Sequence, residues 1–100
     1  MPHLIAEYSA NLDGSVDMHE LCRHLLKAAL ETGVFETGAV RVRAIRCDSF
    51  AVADDLPENG FIDLSLRIAS GRTFEQKKAI GDRIMTAASD FLTELFKTPH

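Results

Sequence analysis

No stretch of this 100-residue chain is apolar over the roughly 20 residues that a membrane-spanning helix requires, so a membrane protein is not expected. The opening Met1-Pro2-His3-Leu4 has neither the basic nor the hydrophobic region of a secretion signal. Cysteine is scarce. Cys22 and Cys47 show no CxxC spacing, and reduced thiols in a cytoplasmic protein are the expectation. Positive charge is in short supply as well: 11 Lys and Arg stand against 15 Asp and Glu, a formal net charge of −4 with the four His neutral. Nucleic-acid binding draws on phosphate neutralisation and needs a strong basic stripe, whereas only a short one is present, so no nucleic-acid partner is expected. With three prolines, 46% hydrophobic and 26% charged residues, the composition is globular rather than disordered. A chain of this size buries roughly two-thirds of its unfolded surface, which makes assembly with further copies a natural source of stability.

What is present is a repeated pattern. Leu4 to Ala10 reads as a strand closed by the turn-forming Asn11-Leu12-Asp13-Gly14-Ser15. From Asp17 the period changes to that of a helix, with Met18, Leu21, Cys22, Leu25, Leu26, Ala29 and Leu30 on one face. Asp17 with Glu20 three residues on marks its start, and Gly33 can take the left-handed turn that ends it. Ala39 to Cys47 is extended, with Val40, Val42 and Ile45 among Arg41, Arg43 and Arg46. Asp48 to Gly60 is a connector containing Pro57 and Asn59-Gly60, partly packed through Phe50, Val52 and Leu56. Phe61 to Ala69 alternates cleanly, Ile62, Leu64, Leu66 and Ile68 against Asp63, Ser65 and Arg67. Thr73 and Gln76 make a capping box for a second helix with the stripe Ile80, Ile84, Ala87, Phe91 and Leu95, stopped by Pro99. The chain therefore holds two strand-turn-helix units in a single domain over residues 1–100. The first helix leads into Ala39 to Cys47 as a right-handed crossover, while the second leads into no strand, so a closing strand is expected to be lacking at the carboxy end.

Met1-Pro2-His3, Thr32-Gly33-Val34-Phe35, Val40-Arg41-Val42-Arg43 and Ile68-Ala69-Ser70-Gly71-Arg72 together resemble the tautomerase superfamily, and within it the 5-carboxymethyl-2-hydroxymuconate isomerase family. Ser70-Gly71-Arg72-Thr73-Phe74-Glu75-Gln76-Lys77 resembles the helix entry of small single-unit tautomerases, in keeping with two fused units of which only the first has a proline base. The resemblance implies an α/β fold (α+β in some schemes): two tandem β-α-β units, a mixed sheet, and two helices on one face. It also implies a homotrimer, no metal and no organic cofactor. The implied activity is a tautomerase that ketonises a dienol carboxylate such as 5-carboxymethyl-2-hydroxymuconate, in homoprotocatechuate or 4-hydroxyphenylacetate degradation. Two rival readings are a non-catalytic oligomeric small-carboxylate-binding protein of the same fold and a tautomerase for another enol, such as phenylenolpyruvate.

In that chemistry Pro2 is the base, and only after Met1 is removed, because in the Met1-Pro2 bond its nitrogen is a tertiary amide. An α-amino group titrates at about 7.7 to 8.0, so roughly a tenth is neutral at pH 7; a downward shift of one unit raises that to about half. Arg41 and Arg43 lie two apart in a strand and share a face, with Arg46 on the other unless a bulge intervenes. The resemblance selects Arg41 first and Arg72 second as substrate-binding residues, with Arg43 third, and allows any of them to serve a neighbouring subunit. His19 and His24 are five apart, the wrong spacing for a shared metal face, and are read as structural. His3 points away from Pro2 in a regular strand, Lys77-Lys78 is a solvated helix face, and Phe91, Leu95 and Phe96 are core or subunit contact.

Overall fold

A computed structural model describes residues 2–68 and 71–95. Its elements run β1 (His3–Ser9), α1 (Met18–Glu31), β2 (Arg41–Cys47), β3 (Ile62–Arg67) and α2 (Phe74–Leu95), with short 3-10 turns at Ala10–Leu12 and Thr37–Ala39. The sheet order is β2-β1-β3. β1 is parallel to β2, as the helical crossover between them requires, and antiparallel to β3. The result is a mixed three-stranded sheet with both helices on one face. The second unit thus meets the first head to tail across the β1–β3 ladder.

Several strand boundaries differ from the sequence reading. Ala10 belongs to a 3-10 turn instead of the first strand, Ala39 closes the turn before β2, and Phe61 and Ile68 flank β3 rather than belong to it. Ala69, Leu95 as a side chain, Phe96 and Pro99 lie outside the described residues. At the far end of β1 a side chain takes over from the ladder. Ser9 is fully buried, its Oγ accepts the Phe61 N–H at 2.9 Å, and its N–H donates to the Phe61 carbonyl at 3.1 Å. A Cβ on Gly60 would stand 2.9 Å from that hydroxyl, so the close approach of connector and strand requires glycine there. The connector is tied down mainly by Asn11, whose Nδ2 donates to the carbonyls of Pro57 at 3.2 Å and Asn59 at 2.7 Å. Phe50 packs edge-on to Phe61, Val52 is half-buried, and Leu56 stays exposed.

The core lies between the sheet and the two helices. Leu4 and Tyr8 of β1 meet Leu21, Leu25 and Ala28 of α1 and Ile80, Ile84, Ala87 and Ala88 of α2. Strand periodicity puts Pro2 and Arg46 on this helix-covered side and sends His3, Ile5 and Glu7 to the opposite face. Arg46 does reach the helix side, where its Nε donates to Asp13 at 2.5 Å, so no bulge reverses it. The uncovered face carries three register rows across β2, β1 and β3: Arg41, His3 and Arg67; Arg43, Ile5 and Ser65; Ile45, Glu7 and Asp63. It is basic at one end and acidic at the other.

Candidate functional site

β1 and β2 begin, and β3 ends, at the basic end of the sheet, and three of the four candidate residues lie at that end, Pro2 on the helix-covered side and Arg41 and Arg43 on the opposite face. Pro2 is buried, and its carbonyl accepts the backbone N–H of Arg41 at 3.0 Å. The Arg41 side chain is exposed, and its Nη1 turns back onto the 3-10 turn before β2, donating to the carbonyls of Gly38 at 2.9 Å and Val40 at 3.3 Å. Arg43 Nη1 lies 3.0 Å from His3 Nδ1. Desolvation lowers the pKa of the His3 ring, and the neighbouring Arg43, Arg67 and Arg41 lower it further. The neutral ring therefore accepts from Arg43 at Nδ1. His3 points away from the Pro2 side, as the regular strand implies, yet it serves as an anchor for Arg43. Sequence reasoning did not find that pairing, because it depends on strand register. Arg67 was missed for the same reason: alternation marks it as outward-facing, and only the antiparallel register sets it opposite His3.

Arg72 stands apart on the helix side. Its guanidinium carbon is 5.2 Å from the centroid of the Phe35 ring, and its Nη2 donates to the Val34 carbonyl at 3.4 Å. It lines a cleft of ≈ 350 Å³ between the end of α1 and the start of α2, shared with Glu31, Val34, Gln76, Ile80 and Arg83. Gly33, at φ 75°, makes the left-handed turn that carries Val34 and Phe35 to this position. The structure thus brings Pro2, Arg41 and Arg43 to one end of the sheet. Arg72 sits at the same end of the molecule, in a separate cleft whose second arginine, Arg83, carried no sequence signal.

The remaining candidates have other roles. His24 packs at 5.5 Å on the Phe91 ring, and His19 and Cys22 border an open groove of ≈ 450 Å³ between α1 and β2. Burial raises the pKa of the Cys22 thiol, which keeps it protonated. Lys78 pairs with Asp82 at 2.8 Å on the solvated face of α2. Among the described residues no three His, Cys, Asp or Glu side chains gather into a metal-ligand group, and no helix is long and apolar enough to cross a membrane.

Comparison with known proteins follows the same lines. A 5-carboxymethyl-2-hydroxymuconate isomerase of Deinococcus radiodurans R1 superposes with a TM-score of 0.84 at 34% identity, over 97% of this chain and 73% of its own. A crystal structure of 5-carboxymethyl-2-hydroxymuconate delta-isomerase superposes with a TM-score of 0.87 at 36% identity, over 97% of this chain and 74% of its own. The 5-carboxymethyl-2-hydroxymuconate Delta-isomerase of Escherichia coli is 29% identical over 98 residues, spanning 98% of this chain and 71% of that protein. The profile of the 5-carboxymethyl-2-hydroxymuconate isomerase family matches from Pro2 to the last residue, 2–100. In fold and in sequence over nearly its whole length, the chain belongs to this family of isomerases.

Proposed function

We propose that this isomerase ketonises a 2-hydroxymuconate-type dienol, of which 5-carboxymethyl-2-hydroxymuconate is the leading candidate, with the amine of Pro2 as the general base once Met1 has been removed. The observation that carries the reading is the setting of Pro2, buried at the start of the central strand, with Arg41 and Arg43 on the opposite face of the same end of the sheet. Burial disfavours an ammonium, which holds the freed amine toward the neutral form that accepts a proton. It takes the proton of the 2-hydroxyl group, the dienol electrons shift along the conjugated chain, and a proton is returned at the far carbon. The product is the isomeric 2-oxo acid, with no change in oxidation state. Arg41, Arg72 and Arg43 pair with the carboxylates and with charge that builds at the 2-oxo end, through charge-assisted hydrogen bonds. A positioned base of this kind contributes about 10²- to 10⁴-fold.

The setting is that of aromatic-acid degradation, by way of homoprotocatechuate or 4-hydroxyphenylacetate, in the cytoplasm. The working form is a homotrimer, supported by the uncovered sheet face, where Ile45 is 44% exposed. The decisive experiment follows dienol ketonisation in the ultraviolet with protein whose amino terminus is verified by intact mass, beside protein that retains Met1. Turnover confined to the free-Pro2 form is expected. Equal rates in the two forms would exclude the amine as the base.

A further inference from the structure

We propose that the cleft between α1 and α2 is a carboxylate subsite in which Arg83 joins Arg72 in holding one acid arm of the substrate, with Glu31 setting how tightly it is held. The inference takes its ligand class from the reading above. A 5-carboxymethyl-2-hydroxymuconate-type molecule carries three carboxylates, and the cleft would receive the arm that pairs with Arg72.

The lining of the cleft selects an anion. Two guanidinium groups face a single carboxylate, so the lining carries a net positive charge. Gln76 adds to the donors: its Oε1 accepts the Thr73 N–H at 2.9 Å, which leaves its amide –NH₂ as the group it can offer. Thr32 contributes nothing to a ligand, because its hydroxyl donates to the Ala29 carbonyl at 2.6 Å. Ile80, Ala79 and Val34 supply an apolar floor for a carbon chain, and the volume of ≈ 350 Å³ is that of a small-molecule site. Arg72 is already oriented by Phe35 and the Val34 carbonyl.

Arg83 is held loosely by comparison. Its Nη2 lies 3.3 Å from Glu31 Oε2, longer than a good charge-assisted contact, and the two side chains are 42% and 49% exposed. Such a pair contributes little to stability and exchanges readily for another carboxylate. Glu31 thus acts as an internal competitor for Arg83. Removing the competitor and removing the receptor therefore have opposite effects on ligand binding, whereas a merely structural ion pair is lost in the same way from either side.

The test measures binding of adipate, a saturated six-carbon dicarboxylate that cannot ketonise, by calorimetry on the wild-type protein, Arg83→Gln and Glu31→Gln, alongside dienol turnover. Arg83→Gln is expected to raise the adipate Kd about tenfold, the scale of one lost charge-assisted contact, and Glu31→Gln to lower it several-fold. The KM for the dienol moves in the same two directions with kcat unchanged, and melting temperatures stay close to the wild type. Adipate affinities that are equal in the three proteins, that shift in the same direction in both variants, or that are absent from the wild type would overturn the subsite. The opposite shifts in Kd with no turnover in any form would sink the dienol reading and leave the subsite standing.

Discussion

Asp13 shows how a single side chain ties distant segments together. It accepts from Arg46 of β2 at 2.5 Å and lies within the influence of the Tyr8 hydroxyl on β1, while Arg46 also pairs with Asp48 at the start of the connector. The Arg46 hydrogen bond holds the Asp13 carboxyl below its ordinary value of 3.8, with the Tyr8 hydroxyl adding to it and partial desolvation working against both. A carboxyl depressed by folding contributes stability that is fully present above its unfolded pKa and is lost as pH falls through the folded one. Wild-type protein is therefore expected to melt higher than Asp13→Asn near pH 6 and to lose that advantage as pH drops below about 4. Thermal melts of the two proteins across that range check it, and a gap that does not change with pH would assign Asp13 no ionic role. The neighbouring Tyr8 hydroxyl is pushed the other way, chiefly by desolvation and then by Asp13 itself, and stays a donor throughout.

At the scale of elements, each helix is announced by its cap and its stripe. Asp17 accepts the Glu20 N–H at 3.1 Å, and the Thr73–Gln76 box is closed in both directions, at 2.9 and 3.1 Å. These are local interactions between residues three apart, which is why they can be read directly from the sequence. Asp17→Ala removes one of them, with an expected loss of about 1 kcal/mol, or roughly 4–8 °C in melting temperature for a domain of this size. Asp17→Ser should restore most of it. If thermal melts show no loss in the alanine variant, the end of α1 is held by packing alone. The strand ends were harder to read, because a strand stops where its partner stops. Nothing near Ala10 or Ala39 in sequence indicates that the ladder has given way to a 3-10 turn.

For the molecule as a whole, the uncovered sheet face leaves Ile45 44% exposed among charged residues. Light scattering at micromolar concentration is expected to give three times the chain mass, and Ile45→Asp, which places a second acid beside Glu7, is expected to shift the protein toward the monomer. A monomer at every concentration would rule out the trimer, and with it any site shared between copies.

What the sequence determined by itself was whatever depends on near neighbours along the chain. Both helices with their caps, the three strand cores, the left-handed Gly33, the common face of Arg41 and Arg43 and the outward turn of His3 all follow from periodicities of two and 3.6 and from contacts three or four residues apart. The set of motifs that resembles the isomerase family was legible too. Only the tertiary structure decided which residues from separate segments meet, because strand register and helix packing are long-range properties. That is how His3 came to anchor Arg43, how Arg67 came to stand opposite His3, and how Arg72 came to rest on Phe35 across a cleft from Arg83. Arg83 and Glu31 are 52 residues apart and look like ordinary solvated charges in sequence; only the packing of α2 on α1 brings them face to face.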